Sequence, residues 1–328
     1  MQRRSFSRAL AALPAALAAL PLSALAQTPI AAGKTVTLLV GYSAGGPVDS
    51  TARLLAAALG KEMGINVVVD NRGGASGMLA AAQLARATPD GLTLMMGASP
   101  TFAMAPHIQS AKAANPLPGL VPVANFVEYS NVLVMNPGMP IRNMAEFITY
   151  AKANPTKLNF GTVGSGSNVH LALELFKLMT KTSFVDVPYK GGAQAMTAMI
   201  GGEIQTTAMS VVPSMPHVKS GRVRALAVST AQRSTYLPDV PAVSETVPGY
   251  EASHWYAMWG PKGMPRGIVM RWNQEVSKVL ATEEAKARAK AEGMDIGGGT
   301  PEYAQQIIAR DIEKWRRVIR DAKIKRES

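Results

Sequence analysis

An α/β chain of two units emerges from three observations. Short β-prone apolar runs alternate with helical apolar periodicity along most of the sequence. A strand, a glycine-rich turn and a helix follow one another twice, at residues 36–49 and again at 158–170. Two extended runs, 124–135 and 253–261, bracket a stretch with its own α/β alternation. Alternation of this kind gives parallel sheets with helices on both faces. The expectation is two Rossmann-like α/β domains joined by two hinge strands. Residues 27–125 with 253–328 form one domain, and residues 126–252 form the other, inserted into it. The ligand cleft lies between them.

In chain order, residues 36–40 read as a strand that runs into Gly41-Tyr42-Ser43-Ala44-Gly45-Gly46. Pro47 then suits the first turn of a helix, with Leu55 and Leu59 one turn apart. Residues 65–69 and 92–96 are two more strands, separated by a helix at 78–87. Residues 112–122 read as a loop, because Asn115-Pro116, Pro118-Gly119 and Pro122 oppose regular structure. Beyond the first extended run come a helix at 144–153, a strand at 158–160 and the second glycine-rich turn, 161–167. A helix with Leu171, Leu175 and Leu178 on its apolar face follows. Further strands are predicted at 185–188, 204–209 and 223–229, with a helix at 194–200. After the aromatic strand at 253–261 come two long helices, 266–280 and 301–323. Thr300-Pro301 makes a cap and a first-turn proline for the last one.

Composition narrows the chemistry. The net charge is +12, and Arg3, Arg4 and Arg8 supply three of those charges, so the rest of the chain is basic too. Basic surfaces favour anionic partners. Aromatic residues are only 6%, and no basic stripe is interleaved with them, which argues against nucleic acid. The densest basic run, 314–326, contains acidic residues and reads as a solvated helix face. With no cysteine, disulfides and thiolate chemistry are excluded. No two histidines have metal-ligand spacing, so no metal and no cofactor is expected. Residues 1–26 form a cleaved signal peptide ending in Ala24-Leu25-Ala26, which directs the chain across the inner membrane to the periplasm. Arg3-Arg4-Ser5-Phe6 fits twin-arginine export as well as the ordinary secretory route.

The two glycine-rich turns carry the functional argument. Each offers backbone N–H groups at the positive end of a helix dipole, which suits an anion. Asp49 sits near the third position of the first helix, either as a helix-start acid favoured by the dipole or a local cap, or as a residue that faces the cleft, orders the loop or accepts a hydrogen bond from ligand or bound water. His170 holds the matching place in the second helix. Ligands in open α/β sheets bind at the C-terminal ends of the strands. That edge presents Ser99-Pro100-Thr101 in the first unit. In the second it presents residues 162–168, then Tyr189-Lys190-Gly191-Gly192 and Met209-Ser210. One competing enzymatic reading exists. Gly41-Tyr42-Ser43-Ala44-Gly45 matches G-x-S-x-G, the elbow of a serine hydrolase. Only His254 lies late enough to complete a triad, and the upstream strands of that fold are missing.

With these pieces in place, the sequence resembles the Bug (tripartite tricarboxylate transporter) family of extracytoplasmic solute receptors. The likeness rests on Gly45-Gly46-Pro47-Val48-Asp49 with Arg53, on residues 69–77 and on Pro89-Asp90-Gly91. It continues through Gly164-Ser165-Gly166 with His170-Leu171, Val187-Pro188-Tyr189-Lys190-Gly191 and residues 224–229. The resemblance implies a type II periplasmic binding fold, the venus flytrap, that captures a small organic carboxylate as a monomer. It implies no enzymatic activity. The implied partner is a two-subunit membrane permease or, in some relatives, a sensor kinase. Carried over residue by residue, the implied ligand contacts are Tyr42, Ser43, Ala44, Gly46, Asp49, Ser99, Thr101, Thr162, Gly164, Ser165, Ser167 and His170. Three departures concern the distal end of the ligand. Tyr42-Ser43-Ala44 stands where relatives often have prolines, Thr162 replaces a common serine, and residues 205–210 lack an acid often found there.

Overall fold

The computed structural model describes residues 33–109, 115–164 and 166–325. The predicted signal segment and Ser165 lie outside them. The first sheet contains β1 (Thr35–Val40), β2 (Asn66–Asn71), β3 (Thr93–Ala98), β4 (Leu120–Tyr129), β10 (His254–Pro261) and β11 (Met294–Ile296). Their order is β11-β4-β10-β3-β1-β2. β1 runs parallel to β2 and β3, whereas β10 is antiparallel to β3 and β4. The helices of this unit are α1 (Pro47–Met63), α2 (Met78–Leu84), α3 (Ala105–Ile108), α8 (Arg266–Ala281), α9 (Glu283–Ala291) and α10 (Pro301–Asp321). Successive side chains of β1 enter different cores, as pleating requires. Leu38 packs in the cluster that holds Leu55 of α1 and Trp272 of α8, and Leu39 packs in the one that holds Leu84 of α2 and Trp315 of α10.

The second sheet contains β5 (Asn131–Met135), β6 (Asn159–Thr162), β7 (Val185–Pro188), β8 (Thr206–Ser210) and β9 (Arg224–Val228), in the order β7-β6-β8-β5-β9. β6 is parallel to β7 and β8, and β5 is antiparallel to β8 and β9. Its helices are α4 (Met144–Ala153), α5 (Asn168–Thr180), α6 (Gly192–Ile200) and α7 (Val211–Lys219). Local chemistry sets the helix starts. Asn143 caps α4 by accepting from Glu146 N, Ser167 caps α5 by accepting from His170 N, and Thr300 caps α10 by accepting from Tyr303 N. Pro47 opens α1, and Gly64 closes it in the left-handed conformation.

The chain changes sheets twice, and the two crossings lie side by side. β4 leads through Ser130 into β5, and the path from β9 returns through Ala252 and Ser253 to β10. Ser229 ties the crossings together: its N–H donates to Asn131 O at 2.8 Å, its hydroxyl accepts from Asn131 N, and its carbonyl accepts from Ala252 N. Residues 126–129, assigned to the second unit from sequence, belong to β4 in the first sheet instead, where Val127, Glu128 and Tyr129 pair with β10 and β11. The length of β10 holds them there.

Other expectations need correction. Pro122 lies inside β4, opposite Trp259 of β10. A proline is tolerated there because β11 pairs with β4 only at Val127–Tyr129, which leaves this end of β4 with a free edge. α7, α9 and β11 were not anticipated. The basic helix face is not uniformly solvated either. Lys314 is largely buried and pairs with buried Asp311 at 2.8 Å, and Asp311 also accepts from Trp255 Nε1 at 2.7 Å.

Candidate ligand-binding cleft

The two glycine-rich turns meet. A cavity of about 260 Å³ is bounded by Tyr42 and Ser76 from the first unit, by Pro100, Met104, Ile108 and Gln109 after β3, and by Gly166, Ser167 and Asn168. Gly166, at φ +72°, sits close against Ile108, so the units touch at one edge of the cavity.

Each turn is ordered by the helix that follows it, and in the same way. In the first, Gly45 N donates to Asp49 Oδ2 at 2.8 Å. In the second, Gly166 N donates to His170 Nδ1 at 2.9 Å. Both acceptors stand at the third helical position and reach back to the glycine before the cap. The glycine amides are therefore committed to the protein, contrary to the expectation that they point outward. In the first turn the N–H groups of Ser43 and Ala44 have no acceptor among the described residues, and both residues are exposed next in sequence to Tyr42, which lines the cavity.

Asp49 is buried and fully engaged. Beyond Gly45 it accepts from Arg53 Nε at 3.0 Å and from Asn71 Nδ2 at 2.9 Å. Arg53 chiefly holds its carboxyl down at a pKa of about 2, so it is a carboxylate at any physiological pH. Gly41 has a different task from binding an anion. A Cβ there would lie 2.6 Å from Gly77 Cα, so the glycine permits two backbones to pass.

Most of the remaining predicted contacts support the cavity wall rather than line it. Tyr42 and Ser167 do line it. Buried Thr101 bonds the Tyr42 hydroxyl at 2.8 Å, and burial raises the pKa of that hydroxyl. Buried Thr162 donates to Asp186 Oδ1 at 2.7 Å. Gly46 caps α1, and Gly164 adopts φ +102° in the second turn. Buried Ser99 contacts His254 Nδ1 at 3.3 Å.

His254, weighed from sequence only as the late histidine of a hydrolase triad, has a structural place that the sequence did not signal. It is fully buried at the start of β10, beside the crossings, with its ring 5.1 Å from that of Tyr129. Its Nε2 contacts the side-chain nitrogens of Asn131 at 3.3 Å and of Asn168 at 3.2 Å. Two amide donors at Nε2 place the proton on Nδ1, which then donates to Ser99. Burial holds its pKa down at about 3, so the ring is neutral. One imidazole thus ties the end of β3, the start of β5 and the first residue of α5. Its serine partner is Ser99; Ser43 stands exposed on the loop.

A second and larger cavity, about 600 Å³, adjoins the first at Asn168 and runs between α6 and α7. Among the described residues no metal-ligating cluster occurs, and no helix is long and apolar enough to cross a membrane.

Comparison with known proteins shows the family. The model of the tripartite tricarboxylate transporter family receptor matches residues 51–324. The chain belongs to this family of periplasmic solute-binding proteins. Protein BugT of Bordetella pertussis is 32% identical over 296 residues, covering 89% of this chain and 91% of BugT. A protein of R. palustris solved with adipate is 33% identical, with a TM-score of 0.73 over 89% of this chain and 98% of that one. MatC of Rhodopseudomonas palustris, with bound malate, is 29% identical with a TM-score of 0.69, covering 87% and 98%. The α/β architecture of two sheets is that of these binding proteins.

Proposed function

We propose that this chain captures a small organic carboxylate by closing its two sheet-based units as lobes, and delivers it to a two-subunit permease of the tripartite tricarboxylate type. One observation carries the reading: a single cavity is walled by Tyr42 and Ser76 from one unit and by Gly166, Ser167 and Asn168 from the other. The free N–H groups of Ser43 and Ala44 receive the carboxylate at the N-terminal end of α1, where the helix dipole favours negative charge. The Ser167 hydroxyl and the Asn168 side chain meet it from the other lobe. The adipate and malate bound by the two R. palustris proteins support this ligand class. Export to the periplasm through the signal at residues 1–26, the monomeric state and the lack of catalysis belong to the same proposal.

The energetics are sufficient. Micromolar affinity needs about 8 kcal/mol. Charge-assisted hydrogen bonds supply on the order of 1.5–3 kcal/mol each, so neither turn suffices alone. A ligand that needs both turns favours the closed arrangement, and this is the form a permease can recognise.

The test is calorimetric titration of the protein with mono-, di- and tricarboxylates, repeated with Gln109→Trp. Gln109 lines the cavity and is half-buried, so the larger ring fills the cavity without disturbing a core. The expected outcome is loss of binding at an unchanged melting temperature. Unchanged affinity for a carboxylate that wild type binds would contradict the assignment of this cavity.

A further inference from the structure

The proposed carboxylate seat borders a second cavity. Asn168 lines both the seat and the 600 Å³ groove between α6 and α7. Met196 and Ile200 of α6, Met209 of β8 and Pro213 of α7 give the groove apolar walls, and its opposite end is formed by His217 and Arg222. Arg222 is exposed, donates from Nε to Ser220 Oγ at 3.3 Å, and makes no ion pair among the described residues. The other arginines of this region are engaged: Arg224 bonds Ile141 O at 2.6 Å, and Arg233 pairs with Glu245 at 2.8 Å. The groove follows α6 for its nine residues, roughly 12 Å at the helical rise.

An anion seat, an apolar groove beside it and a guanidinium with no ion pair among the described residues match one ligand chemistry. We propose that the groove is a subsite for the distal part of an extended α,ω-dicarboxylate, with the methylene chain against Met196, Ile200 and Pro213 and the far carboxylate at Arg222. This rests on the carboxylate reading of the seat and adds a length preference to it. A four-carbon diacid is contained by the seat and gains nothing from the groove. A longer diacid buries methylenes there, and each buried methylene favours binding. A guanidinium is suited to paired contacts with a carboxylate.

The experiment is calorimetric titration with succinate, adipate, suberate and octanoate. It is run on wild type, Thr197→Trp and Arg222→Gln. Thr197 lines the groove midway along α6 and is exposed, so a tryptophan there blocks the passage without entering the core. Wild type should bind suberate at least about tenfold more tightly than succinate, a difference of about 1.4 kcal/mol. Thr197→Trp should abolish that preference and leave succinate binding intact. Arg222→Gln should bring suberate to the level of octanoate. Wild type binding succinate as tightly as suberate, or both variants leaving the length profile unchanged, would overturn the groove assignment alone. Failure of every acid to bind wild type would overturn the receptor reading itself, and this proposal with it.

Discussion

Asp49 shows how a charge inside the molecule can organise a loop rather than meet a ligand. Its carboxylate gathers the Gly45 amide, the Arg53 guanidinium and the Asn71 side chain at 2.8–3.0 Å. Its folded pKa of about 2 lies below its ordinary 3.8. The sign follows from linkage: the stabilisation is complete above pH 4 and is lost as pH falls toward 2. Asp49→Asn should therefore cost about 2 kcal/mol at pH 7 and flatten the acid limb of the stability curve, read by urea unfolding between pH 2 and 6. An unchanged acid limb would mean that the carboxylate is not engaged as described. Sequence alone left two roles open for this residue, since a carboxylate in a first helical turn suits either. The choice depended on Arg53 and Asn71 converging from a helix and a strand. His170 repeats the device with an imidazole in place of the carboxylate. That symmetry was legible as spacing, but the direction of the glycine amides was not.

α10 joins the two units as an element. Trp315 and Ile319 share one continuous core with Phe176 of α5 and Leu39 of β1. Asp311 on the same helix is buried between Trp255 and Lys314. Removing one member of such a pair strands the other, at a cost of about 3–5 kcal/mol. Asp311→Ala should lower the urea midpoint accordingly, and Asp311→Asn, which keeps an acceptor for Trp255, should cost less. Equal and small losses would deny the pair its structural role. Periodicity announced α10 clearly, through its cap and its apolar spacing. It gave no sign that Asp311 and Lys314 turn inward, because a charge at helical spacing reads as a solvated face until its partners are known. α9 and β11 escaped for another reason. The run Glu283–Ala291 is rich in charge and alanine with almost no apolar stripe, and β11 is only three residues long. Pro122 masked the start of β4 because the rule against proline in strands applies to paired edges.

The whole molecule is two sheets joined by two adjacent crossings. Ser229 binds those crossings together, and His254 links both sheets beside them. Strands β1, β2 and β3 and the glycine-rich turns could be read from strand–turn–helix order, and the strand-edge rule pointed to Val163, Gly166, Ser167 and Asn168 and to Met209-Ser210, which border the two cavities. Ile108, Gln109 and Asn131 carry no local signal. They matter only because the chain brings them beside the turns. On the proposed mechanism, motion pivots at Ser130 and Ser229 while the packing of α5 on α10 limits its range. Backbone amide exchange, followed residue by residue with and without a saturating dicarboxylate such as adipate, tests whether one ligand engages both lobes. Slower exchange is expected at residues 42–46 and 163–168 together, with little change on the far faces of either sheet. Protection confined to one turn, or absent from both while the ligand is bound, would contradict capture between them.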